Sequence, residues 1–399
     1  MVILFLNSCL DPGKDGVGDY TRRLAQACSR QGHSCHLMAL KDSAITEVIE
    51  TSEPANESSQ VRILRLPATM PWPVRVKLAT EFRFRVAADR ISLQFVPYGF
   101  DSKGIVRNLE RYLLPITAGI PLHVMFHELW IGVGKSSPLK EKVVGQVQRY
   151  YLQRLIERLK PDAISTSNAL YLSLLEKLGL AASLLPLFGN IPIDETTGPE
   201  KIPPALVRSC LCDETGAHPG RWLGLFFGTL HPEWKPEPFL SNLVTASTKA
   251  NRTTCLVAAG RLGEHGAVTW EKMETDYAGT VDFLRLGELP APQVSALMKA
   301  ADFGLAASPW QLIGKSGSVA AMLDHGLPVI VCRDDFQAAA ASSPPDDPLL
   351  HRWDADLESK LVASLPKRAP HDSVDDVARD FIRLLLELRP RIADTQPLP

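Results

Sequence analysis

The sequence has little cysteine, no long apolar run and no dominant sign of charge. Its 7 cysteines in 399 residues are odd in number and scattered, which argues against a disulfide framework and for a reducing, cytoplasmic setting. No run of about 18 apolar residues occurs, so no transmembrane helix is expected and any membrane contact would be peripheral. Forty-three Lys and Arg against 45 Asp and Glu give a formal net charge of −2. Without a global positive field, nucleic acid is not an expected partner. The opening MVILFLNSCL lacks a basic start and runs straight into the polar turn Asp11–Gly16, so it reads as a buried first strand and not as a signal segment.

What is present is the composition of a globular protein, 45% hydrophobic and 22% charged. The length exceeds the roughly 100–200 residues of one domain, so two domains are expected. Short β-branched apolar runs alternate with longer amphipathic stretches, the pattern of parallel strands joined by helices. In the first half the runs Val2–Asn7, Ser34–Leu40, Val61–Leu66, Ile91–Val96, Leu122–His127, Ala163–Ser167 and Ser183–Leu187 read as strands. Helices are expected over Tyr20–Gln31, Glu141–Lys160 and Ala169–Leu178. Periodicity fails from about Pro192 to Gly220, and the same alternation then restarts with strands Trp222–Thr229, Thr254–Gly260, Val281–Leu286, Phe303–Ala307 and Pro328–Cys332. The expectation is an α/β chain of two doubly wound domains, 1–195 and 221–370, joined by a linker at 196–220. A helix within 371–390 would pack back towards the first domain, and 391–399 would be a tail.

Four segments carry polar groups to strand ends, where sheets of this kind bind ligands. The turn Asp11–Tyr20 brings Gly16, Val17 and Gly18 to the start of a helix, an arrangement suited to an anion or simply to a tight turn. The strand Leu122–Phe126 delivers His127 and Glu128 to its end, a pair able to bind hydroxyls or move a proton. After the next domain's first strand, Gly228 leads into a loop ending at Lys235. Finally, Gly314, Lys315 and Ser316 stand where a helix must begin, so amides, an ammonium and a hydroxyl converge. This is not a nucleotide P-loop, because Pro309 occupies the place of the required glycine. Metal chemistry is not expected. His33 and His36 straddle a strand start, Cys210, Cys212 and His218 form an incomplete set, and Asp354-Ala-Asp356 reads as helix capping.

Taken in order, these segments resemble the GT-B glycosyltransferases, specifically the large retaining family that includes bacterial mannosyl- and glucosyltransferases. Gly16-Val-Gly18 with Gln31-Gly-His33 looks like its glycine loop and following strand, and Phe126-His127-Glu128 like its strand end. Phe227-Gly-Thr-Leu with Lys235, Leu256–Gly260, Ala300-Ala-Asp302 and Ala321-Met322 with Gly326-Leu-Pro-Val329 match further pieces, so the likeness runs from about residue 1 to 335. It implies transfer of a sugar from a nucleoside diphosphate donor to an acceptor that is a saccharide, a lipid-linked saccharide or a protein, with no cofactor and no metal.

Carried over by position, the resemblance puts Gly16 and Val17 on the donor diphosphate with Lys235, His127 and Glu128 at the reacting sugar, and Gly287, Glu288 and Leu289 at the nucleoside. Gly314, Lys315 and Ser316 would complete the diphosphate site. The chain departs from the pattern where Leu312 and Ala320 replace a pair of glutamates and Thr229 replaces an arginine. Lys315 could supply the charge lost at Thr229. Loss of the glutamates leaves open a second reading, a catalytically inactive protein that binds ligand or partner with the same fold.

Overall fold

The computed structural model describes residues 1–54, 60–195, 201–209, 220–338 and 346–389. The chain forms two compact units. One comprises Met1–Pro186 and the segment from Val374, the other Leu187–Gln337 and the segment ending at Ser373.

The first unit is built on β1 (Val2–Asn7), β2 (Ser34–Asp42), β3 (Ile49–Pro54), β4 (Gln60–Pro67), β5 (Arg90–Phe95), β6 (Leu122–Phe126), β7 (Ala163–Thr166) and β8 (Ser183–Leu184). Their order is β3-β4-β2-β1-β5-β6-β7-β8, parallel except for β3. Strand order reverses between β1 and β5, which is the ligand-binding switch point of a doubly wound sheet. At that point Gly99 lies so close to Ser8 that a Cβ would fall 2.1 Å from the serine oxygen. The central strands are near-continuous apolar runs because helices cover both faces.

The helix Val374–Glu387 belongs to this unit. Its Phe381 is fully buried, stacks on Phe5 at 5.6 Å and meets the His123 ring edge-on at 5.4 Å. Arg90 donates to the carbonyls of Leu385 and Leu388, satisfying acceptors at the helix end that have no helical partner.

The second unit contains β9 (Arg221–Phe227), β10 (Thr253–Ala259), β11 (Val281–Gly287), β12 (Phe303–Ala306), β13 (Val329–Val331) and β14 (Leu350–Arg352). All are parallel, in the order β11-β10-β9-β12-β13-β14, so the switch point lies between β9 and β12. The division between units falls at Pro186 and Leu187, ahead of the composition break. Sequence expected residues 187–195 in the first domain and 196–220 in a linker. Of these, Ile202 and Leu206 bury themselves in the second unit's core despite their proline neighbours. Cys210, Cys212 and His218, like residues 391–399, lie outside the described residues.

Asp354 caps the helix Ala355–Val362, accepting from the amides of Asp356 and Leu357 at 3.0 and 2.9 Å. Asp354→Ala should therefore lower stability by about 1 kcal/mol. A denaturation midpoint that stays put would show that the cap contributes nothing.

Candidate functional site

In the first unit, β6 ends at Phe126 and hands His127 to the sheet's C-terminal edge. The imidazole is 7% exposed, meets Gln94 Oε1 through Nε2 at 2.8 Å, and packs edge-on against Tyr20 at 5.1 Å. Tyr20 sits on the helix Gly16–Arg30, which begins at Gly16, earlier than the Tyr20 expected from sequence. The glycine turn and His127 therefore share one sheet edge. Glu128 is half-buried beside it.

Gly16 is exposed and Val17 half-buried. Asp15 occupies the position before the helix, and burial pushes its carboxyl up to about 6, opposed by the amides of Gly18 and Val17. A Cβ at Gly18 would meet that carboxylate at 2.8 Å and the Leu10 Cα at 3.2 Å, so a larger residue there would displace the Asp15 side chain. An anion arriving at this helix start has to compete with Asp15. Nearby, fully buried Asp42 accepts from Arg65 Nε at 2.7 Å and from the Leu10 amide at 3.2 Å. Burial would raise its carboxyl, but these donors outweigh burial and hold it below its ordinary value.

Burial drives both His123 and His127 down to about 3, so each is neutral at pH 7. An unfolded histidine takes up a proton below about 6.5, whereas these folded ones do not, so stability is full above that value and falls as pH drops towards 3. Between pH 7 and pH 5 each should cost about 2 kcal/mol. Chemical denaturation of wild type and His123→Gln across this range checks the sign; a variant with the wild-type pH slope would remove His123 from the account.

In the second unit, Gly228 turns out of β9 with φ of +87° and faces Ser318, to whose Cβ a glycine substituent would come within 3.8 Å. That is the switch point between β9 and β12. Sequence placed a helix start at Gly314–Ser316. Instead Trp310–Lys315 is a short 3-10 turn, Gly314 and Lys315 lie within it, and the α-helix Gly317–Asp324 begins after it. The Ser316 amide is taken by the Ile313 carbonyl at 3.0 Å, while its hydroxyl caps the helix through the Val319 amide at 3.4 Å and meets Ser318 Oγ at 3.1 Å. The tighter turn uses up one donor that sequence assigned to a ligand.

Two residues that sequence reasoning missed lie here. Arg333, at the end of β13, is buried, and its guanidinium is held by His231 Nδ1, Glu233 and Asp335, each at 2.6 Å. His231 is pushed below its usual range by burial first, then by Arg333, with Lys315 adding to the effect. Lys315 and Arg333 thus both bear on His231, while Glu233 and Asp335 pair with Arg333. Lys235 is exposed and lines a cavity of about 350 Å³ with Arg333, Trp234, Phe239, Cys332 and Trp353. At the other side of β9, Gly287 has φ of +68°, accepts from the Gly260 amide at 2.7 Å, and precedes Glu288, which pairs with Arg261 at 2.7 Å. Leu289 packs on the core. The nucleoside candidates follow β11 and Lys315 follows β12, and strands β10 and β9 lie between those two in the sheet.

Among the described residues, no group of three or more His, Cys, Asp or Glu side chains is placed to hold a metal. His33 meets the N-terminal amine while His36 meets Ser34 and Arg62, so the two do not converge. No described helix is long and apolar enough to cross a membrane.

Similar architectures exist among solved structures. The catalytic domain of starch synthase IV from Arabidopsis thaliana, bound to ADP and acarbose, superposes with a TM-score of 0.54 at 13% identity over 96% of this chain and 98% of that one. HepE of Anabaena, in complex with UDP and glucose, gives 0.54 at 14% identity over 97% and 100%. The fold is GT-B. No protein-family model matches the sequence, and neither does any curated protein. GT-B also covers other chemistry: a Listeria monocytogenes protein taken to be a UDP-N-acetylglucosamine 2-epimerase superposes with a TM-score of 0.50 at 12% identity over 98% of each chain.

Proposed function

We propose that the protein is a glycosyltransferase that moves a sugar from a nucleoside diphosphate to an acceptor hydroxyl, with the diphosphate held by the second unit. The observation that carries this is the helix start at Gly317 in the second unit: Ser316 caps it, Lys315 directly precedes the cap, and the helix's Ser318 faces the Gly228 turn at the β9/β12 switch point. A leaving diphosphate needs its charge stabilised more than it needs a strong base, and cations with a helix N-terminus supply that. Lys235 adds a further charge, and Gly287–Leu289 offer backbone groups at the same sheet edge for the nucleoside. The starch synthase IV domain and HepE, which share the fold, are bound to ADP and UDP respectively, which supports a nucleotide ligand.

Under this reading His127 and Glu128 act on the sugar, Gly16 and Val17 assist the diphosphate, the transferred sugar is a hexose and its configuration is retained. No metal takes part, and the enzyme works in the cytoplasm. Calorimetric titration with UDP, ADP and GDP tests the first claim, and product analysis with the bound nucleotide's sugars tests turnover. Binding without turnover on any acceptor class would favour the inactive binding protein that the residues Leu312 and Ala320 suggest. Absence of nucleotide binding would remove both.

A further inference from the structure

Six polar side chains form one unbroken hydrogen-bonded chain across the first sheet. His127 Nε2 meets Gln94 Oε1 at 2.8 Å, Gln94 Nε2 donates to Ser92 Oγ at 2.8 Å, and Ser92 Oγ meets His123 Nδ1 at 2.9 Å. His123 Nε2 then meets Ser165 Oγ at 3.0 Å, and Ser165 Oγ meets Ser183 Oγ at 2.9 Å. The chain runs from β5 and β6 through β7 to β8. Gln94, Ser92, His123 and Ser165 are each no more than 1% exposed, so water does not supply alternative partners.

Each hydroxyl and each neutral imidazole has one proton to give, so fixing one donor fixes the rest. At the exposed end of the chain the Ile164 carbonyl can only accept, and Ser183 Oγ lies 3.4 Å from it with water as an alternative partner. If Ser183 donates there, Ser165 donates to Ser183, His123 donates through Nε2 to Ser165, and Ser92 donates to His123 Nδ1. Ser92 then accepts from the Gln94 amide, whose oxygen accepts from His127 Nε2. The side-chain amide of Gln94 is oriented in this same direction. The opposite direction requires that amide to turn over and Ser183 to give up Ile164.

We propose that this chain is a polarised relay that holds His127 as the Nε2–H tautomer and presents Nδ1 as an acceptor for a ligand hydroxyl. Among the described residues Nδ1 has no hydrogen-bond partner. Gln94, Ser92 and His123 are positioning residues, because they act through His127; a tautomer is set by the bond its other nitrogen makes. The tautomer stands independently of any reaction, whereas its meeting with a sugar hydroxyl rests on the transferase reading.

Nitrogen-15 NMR of the full chain labelled at histidine tests the relay directly. At pH 7 both His123 and His127 should be Nε2–H, and Gln94→Leu, which cannot accept from Nε2, should shift His127 to the other tautomer. Ser92→Ala should lower kcat about tenfold, the scale of one buried hydrogen bond, with KM for the donor unchanged, and Ser92→Thr should restore it. An Nδ1–H tautomer in wild type overturns the relay, as does an unaltered His127 in Gln94→Leu. Wild type needs no substitution, so a variant that fails to fold leaves the test intact. An Nε2–H spectrum in a protein that turns over no nucleotide sugar keeps the relay and removes the transferase reading; an Nδ1–H spectrum in an active enzyme does the reverse.

Discussion

Lys315→Ala is expected to weaken nucleoside diphosphate binding about 10- to 150-fold while leaving the fold intact. A diphosphate entering a site poor in water loses hydration that only cations and N–H donors can replace. Lys315 closes the short turn Trp310–Lys315 immediately before the helix that Ser316 caps, and its charge reaches His231 beside Arg333. Glu233 and Asp335 offset the charge of Arg333. A charge-assisted contact contributes roughly 1.5–3 kcal/mol, which gives the stated range. Calorimetry on wild type and Lys315→Ala decides it, with unchanged thermal stability as the control. Equal affinities would mean that the diphosphate is held elsewhere.

His127→Ala should reduce turnover about 100-fold, the scale of a lost positioning contact, with nucleoside diphosphate affinity unaltered. The two quantities separate because His127 lies in the first unit, whereas Lys315 and the helix start at Gly317 lie in the second. Removing a neutral ring costs no charge at the diphosphate. It does leave Gln94 Oε1 without a donor in a buried setting, so stability must be measured alongside kcat. Full turnover in a folded His127→Ala protein would take this residue out of the mechanism.

Much of the fold was legible because most of the parallel strands are short apolar runs, many with glycine or proline at their ends. What escaped had a physical cause. The helix Trp72–Arg85 buries Arg75 and Arg83, which donate to the carbonyls of Leu40, Ile116 and Ala118, so its polar pattern does not follow its buried face. The helix Leu109–Thr117 contains Pro115. Strand β3 is largely polar and exposed, as an edge strand can be, and β14 has 3 residues. Among the candidate residues, His127 stood out at a strand end, Lys235 in the loop after a strand and Lys315 at an expected helix start. A signal for the relay was present too: Ser92 and Gln94 alternate within an otherwise apolar strand, and a polar group at a buried position is costly unless bonded.

The sequence by itself determined two doubly wound α/β sheets and the strand ends at which their polar residues emerge. Hydrophobic periodicity and turn chemistry are local, so they can be read along the chain. Tertiary structure alone decided which polar groups meet. Arg333 lies 102 positions from His231, and Ser92 lies 31 from His123, yet each pair is in hydrogen-bond contact. Such pairing depends on strand order and register, which no local pattern encodes. The same holds for the state of His127: the sequence supplies an imidazole at a strand end, while burial and the partner on Nε2 set its charge and its tautomer.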